Sequence, residues 1–169
     1  NLFFLLAIAL LYQIILAING NKKLALIASG LLAFEPATLY WNSQLTTESL
    51  FTLVILASFF CLILSLKRLR FIFYSGFFLG FALLVRPVTE YLYIIFLSGA
   101  VIIGLLQRLS WKRIILGMAI FLCGYALVVA PWAFRNKTLF GTTSVSIINV
   151  GFGKYVRAIH QELGIFVDY

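Results

Sequence analysis

Charge is scarce in this chain of 169 residues. Only 11% are Asp, Glu, Lys or Arg, where an ordinary soluble domain carries about a quarter. Acids are scarcest, five against 13 Lys and Arg, while 63% of the residues are hydrophobic and mean hydropathy is +1.09. A domain of this size cannot hide so much apolar surface from water in one core. The shortage of charge therefore excludes a soluble globular enzyme, and the wealth of apolar side chains excludes a disordered tail. The net charge of +8 could suggest nucleic acid, but the cations form short clusters between apolar runs and not a polar groove. Cysteine is limited to Cys61 and Cys123, both inside apolar runs, with no CxxC spacing and no His nearby. The usual redox and metal arrangements are thereby excluded, and both read as small packing residues. His160, the single histidine, sits in a polar tail beside Gln161 and Glu162 and reads as a surface residue. GxGxxG, P-loop, HExxH and GxSxG patterns are missing. Gly151-Phe152-Gly153-Lys154 is too short to cradle a phosphate and reads as a turn.

What is present is a series of long apolar runs. A helix needs about 20 mostly apolar residues to cross the hydrocarbon core. Six stretches approach that length: 2–18, 24–42, 47–66, 71–86, 88–107 and 114–131. The expected fold is all-α, a polytopic transmembrane bundle of about six spanning helices over 1–132. An extracytoplasmic segment over 133–169 follows, with a short amphipathic helix near 155–163. The first run lacks an initiator Met and a charged leader, so it reads as a span and not as a signal peptide. The chain reads as a piece of a longer polytopic protein.

Eight cations fall in three alternate links: Lys22 and Lys23; Lys67, Arg68 and Arg70; Arg108, Lys112 and Arg113. The positive-inside rule makes that face cytoplasmic. The opposite face receives Glu48, Arg86, Glu90, Arg135 and the polar end of the chain, and Glu35 stands nearer mid-membrane beside Pro36. Ionisable groups at membrane depth are expensive and tend to be functional. Glu48, Arg86, Glu90 and Arg135 come from three helix junctions, so in one bundle they can converge on one outer cavity. Arginine forks bind phosphate oxygens two at a time, and a carboxylate can orient such a fork or hold a sugar hydroxyl. Read singly, each is equally a charge reaching from a helix end to water. Tyr40, Trp41, Tyr91, Tyr93 and Trp132 fit an interfacial aromatic belt. Gly76 and Gly80 form GxxxG, a spacing that lets helices approach closely.

Four motifs in order carry a family resemblance. Pro36 precedes Leu45-Thr46-Thr47-Glu48-Ser49-Leu50-Phe51. Gly76 to Gly80 leads to Leu84-Val85-Arg86-Pro87. Then comes Pro131-Trp132-Ala133-Phe134-Arg135-Asn136, and last Phe140-Gly141 with the stretch from Ser144 to Gly153. The chain resembles polyprenyl-phosphate-sugar-dependent membrane glycosyltransferases of the GT-C fold, a superfamily that includes dolichyl-phosphate-mannose protein mannosyltransferases and aminoarabinose transferases. Ser49 stands where the family has Pro, Val85 where it has Thr, and the family's closing Gly-Asn is missing. The resemblance implies transfer of a sugar from a polyprenyl phosphate to a protein, lipid or glycan hydroxyl. It places that reaction outside a bacterial inner or plasma membrane. It implies that Arg86 and Arg135 stabilise the leaving phosphate and that Glu48 orients an Arg or holds a sugar hydroxyl. Asn136 and Tyr40 line the pocket in a secondary role. The family's catalytic carboxylate belongs to a loop that would lie upstream of Asn1. No motif specifies a cofactor or a metal site; the lipid-linked sugar is the substrate. Two other classes fit the composition: a secondary transporter or lipid flippase, which Glu35-Pro36 favours, and a non-catalytic membrane scaffold.

Overall fold

The computed structural model describes residues 2–36, 40, 47–141 and 143. Helix α1 runs over Leu2–Asn19. It stops at Gly20, whose φ of +65° is a left-handed conformation that glycine adopts without a Cβ clash. Asn21 then starts α2, Lys22–Ala33, by accepting the N–H groups of Lys23 and Leu24 on Oδ1 at 3.0 and 3.3 Å. Next come α3, Glu48–Ser65, and α4, Arg70–Val85. A 3-10 turn at Pro87–Thr89 leads to α5, Leu92–Leu106, and α6, Trp111–Phe140. All regular structure among the described residues is helical, so they form an all-α helical bundle.

Four helical segments are long and apolar enough to cross a membrane: Leu2–Asn19, Glu48–Ser65, Pro87–Leu105 and Trp111–Leu139. Eighteen residues make about 27 Å of helix, close to the roughly 30 Å of a bilayer's hydrocarbon core. The other two helices are shorter than a full span. The 16 residues of α4 reach about 24 Å. The 12 residues of α2 reach about 18 Å, against the span expected over 24–42. The local reason is Pro36, which disfavours helical dihedrals at the residue before it. The chain leaves the helix at Phe34, and Glu35 follows it, exposed. The expected end of that span, at Asn42, lies outside the described residues.

The last helix also differs from expectation. It runs through Pro131 to Phe140, so 133–140 is helix where a loop was expected. Proline removes one helical N–H donor, and the ladder resumes until Gly141, at φ +69°, donates to the Lys137 carbonyl at 3.1 Å. The chain divides into two compact units, Asn1–Ala130 and Pro131–Tyr169. The helix expected near 155–163 lies outside the described residues, as do His160, Glu162 and Asp168.

In the first unit α1 packs on α2 and α3, and α3 on α4. Ile72, Leu79, Phe96 and Phe121 form the buried centre, which brings α4, α5 and α6 to one point. Phe96 stacks on Phe121 with ring centres 6.0 Å apart, and Phe59 of α3 closes on Phe96 at 4.6 Å. GxxxG is used as its spacing suggests. A methyl group on Gly76 would collide with the Phe121 carbonyl, and one on Gly124 with the Phe73 carbonyl. The α4 and α6 backbones therefore touch with no side chain between them. Ser58 donates to the Ser75 carbonyl at 2.8 Å, which satisfies a fully buried hydroxyl between α3 and α4. The outer surface stays apolar: Leu26, Ile95 and Leu127 are 68%, 64% and 60% exposed. Lipid, and not water, suits such a surface.

Candidate functional site

Helices α3 and α4 are joined by residues 66–69 and pack as a hairpin, so the start of α3 and the end of α4 share one end. Two local rules set the side chains there. Pro87 drives Arg86 out of the helical region, to φ −143° and ψ 112°. The Arg86 N–H still donates to the Ala82 carbonyl at 2.9 Å, so the break falls at one residue. Buried Thr89 holds the other side of the break, its hydroxyl donating to the Arg86 carbonyl at 3.0 Å. On the neighbouring helix Glu48 occupies the first turn of α3, where the exposed N–H groups favour a negative charge.

The two side chains meet as a fork. Arg86 Nη1 donates to Glu48 Oε2 at 2.8 Å, and Nη2 lies 2.5 Å from Oε1. The guanidinium carbon stands 5.7 Å from the ring centre of Phe51, one turn along α3. Two of the five guanidinium N–H groups serve the carboxylate, which leaves three for another acceptor. The Arg86 side chain is 42% exposed and that of Glu48 27%, so the cation is the more open half of the pair. A planar, partly exposed cation held in place by a carboxylate, with donors to spare, can receive an oxyanion such as a phosphate.

Of the other residues expected at the site, Glu90 follows the 3-10 turn, half-buried, its N–H donating to the Pro87 carbonyl at 3.0 Å. Arg135 and Asn136 belong to the second unit. There Arg135 lies over Trp132, 4.8 Å from the ring centre, and donates from Nη1 to Asn136 Oδ1 at 3.1 Å. Tyr40 is 60% exposed; its neighbours 37–39 and 41–46 lie outside the described residues. Phe51 and Thr89 were not expected at the site. Both carried a signal: each lies three residues after a charged site residue, Glu48 or Arg86, a spacing that returns a side chain to the same side of a helical turn.

Compared with known proteins, the chain matches no family model, no curated protein and no solved structure.

Proposed function

We propose that this chain is the membrane-embedded part of a glycosyltransferase that moves a sugar from a polyprenyl-phosphate carrier to a hydroxyl of a protein, lipid or glycan on the extracytoplasmic side. The observation that carries the reading is the forked Glu48–Arg86 pair at one end of two apolar helices, of which Glu48–Ser65 is long enough to cross a membrane. In such a transfer the acceptor oxygen attacks the anomeric carbon. The bond from that carbon to the phosphate oxygen breaks, and its electron pair stays on the phosphate. The acceptor proton passes to a carboxylate base on an extracytoplasmic loop, as the resemblance implies. Arg86 meets the charge that develops on the leaving phosphate, and Glu48 holds the guanidinium so that little reorganisation is needed as the bond breaks. Apolar helices suit the polyprenyl chain, and the pair suits its headgroup. In the second unit Arg135, over the Trp132 ring, is a guanidinium of the same chemistry.

The test is sugar transfer by the full-length protein in liposomes supplied with defined polyprenyl-phosphate sugars. Loss of one such charge-stabilising group typically lowers turnover by about 10²- to 10³-fold, and Arg86→Ala is expected to fall in that range. Glu48→Ala should follow it, and Arg135→Ala is read in the same assay. Full activity in both Arg86→Ala and Glu48→Ala would remove the pair from the mechanism. Lipid movement across the bilayer without sugar transfer would favour the flippase class.

A further inference from the structure

The end of the α3–α4 hairpin opposite the Glu48–Arg86 pair opens on a cavity of about 400 Å³. The last turns of α3 and α5 and the first turns of α4 and α6 form its walls, so the two short connections, 66–69 and 107–110, lie side by side there. Leu62, Ile103 and Ile114 supply apolar wall, and Lys67 and Arg113 bring cations to it beside Ser65 and Gln107. Residues 66–70 and 107–113 hold six Lys and Arg and no Asp or Glu. All six cations are exposed, and among the described residues none has a carboxylate within ion-pair distance. The end is therefore strongly positive, and its cavity is apolar where it enters the helices. Its volume lies in the range of small-molecule sites.

We infer that this cavity binds an anionic phospholipid from the leaflet that this end faces. The headgroup phosphate lies against Lys67 and Arg113, and the upper part of an acyl chain lies along Leu62, Ile103 and Ile114. Charge complementarity selects the headgroup: clustered Lys and Arg beside membrane helices attract anionic lipids over zwitterionic ones. The Arg113 fork and the Lys67 ammonium are both phosphate ligands, the first bidentate and the second a point charge. The apolar wall selects a lipid over a free phosphate, which would leave the wall facing water. Gln107 can donate to or accept from a polar headgroup such as glycerol, and Ser65, whose hydroxyl donates to the Leu62 carbonyl, can accept from it. This site stands apart from the Glu48–Arg86 pair, and it holds whether or not that pair serves sugar transfer.

Native mass spectrometry of the full chain, delipidated in detergent, tests it. Three probes are titrated separately: dioleoyl phosphatidylglycerol, dioleoyl phosphatidylcholine and glycerol 3-phosphate. The wild type is expected to take one phosphatidylglycerol at least about tenfold more tightly than phosphatidylcholine. Lys67→Gln with Arg113→Gln is expected to weaken phosphatidylglycerol by about thirtyfold, near fivefold for each cation lost. Lys22→Gln with Lys23→Gln removes the same charge elsewhere and should leave that affinity within about threefold. Unchanged phosphatidylcholine binding shows that the Lys67/Arg113 variant keeps its fold. Equal binding of the two lipids by the wild type, or equal loss in the two double variants, overturns the site. Displacement of the lipid by equimolar glycerol 3-phosphate would overturn it in favour of a soluble phosphate ligand.

Discussion

The Glu48–Arg86 pair can be weighed by a double-mutant cycle, with Glu48→Gln and Arg86→Gln singly and together. Exposed ion pairs contribute about 0.2–1 kcal/mol, whereas removal of one partner of a buried pair costs about 3–5 kcal/mol. This pair lies between those limits, with its side chains 42% and 27% exposed. Both prongs are formed, so a coupling near the top of the exposed range, about 1 kcal/mol, is expected. Glu48→Gln loses more than the pair, because the carboxylate also sits in the first turn of α3, where it adds about 0.3–1 kcal/mol. The expected losses are about 1.5 kcal/mol for Glu48→Gln and about 1 kcal/mol for Arg86→Gln. The double variant should lose about 1.5 kcal/mol and not the sum of 2.5, because the shared contact is lost only once. Unfolding of the full chain in mixed micelles with rising dodecyl sulfate, followed by tryptophan fluorescence, supplies the three values. Losses that add to within about 0.3 kcal/mol would refute the pairing. A cheaper Glu48→Gln than Arg86→Gln would refute the helix-end contribution.

The same unfolding assay checks three further expectations. Gly76→Ala and Gly124→Ala each force a methyl group into a facing carbonyl and should destabilise by about 1–3 kcal/mol; wild-type midpoints would show that α4 and α6 do not touch there. Gly30→Ala meets nothing within 4 Å and should stabilise α2 by up to about 1 kcal/mol through helix propensity. A loss would mean that Gly30 faces a neighbour. Asn21→Ala removes the acceptor for two N–H groups of α2 and should cost about 1 kcal/mol, while Asn21→Ser should recover most of it.

Much of this architecture was legible because it rests on local rules. Gly20 and Asn21 mark the boundary between α1 and α2 by a left-handed φ and a side-chain cap. Pro87 dictates that Arg86 leaves the helix, and Gly76 and Gly80 announce a close crossing. Six equal spans were not legible, because hydropathy measures composition and not where hydrogen bonding stops. The run over 24–42 is apolar enough to suggest a span, yet Glu35-Pro36 interrupts it and α2 ends at Ala33. Pro131 suggested the opposite error: a stop signal in sequence, it lies within a helix that continues to Phe140.

By itself the sequence determined the long apolar runs, the helical class and the side-chain chemistry at each helix end. Those follow from apolar content, run length and the residues flanking each run, none of which needs a distant partner. Only the tertiary structure decided which ends meet. Glu48 and Arg86 are 38 residues apart and form a fork because α3 and α4 fold back on each other through residues 66–69. Lys67 and Arg113 line one cavity because the α3–α4 and α5–α6 turns lie together. Phe51 reaches the Arg86 guanidinium because α3 and α4 pack together, whereas Thr89 is held to Arg86 by a local bond. A side chain's partner depends on helix packing, and packing is set by the close α4–α6 contact at Gly76 and Gly124 and by the Phe59, Phe96 and Phe121 cluster.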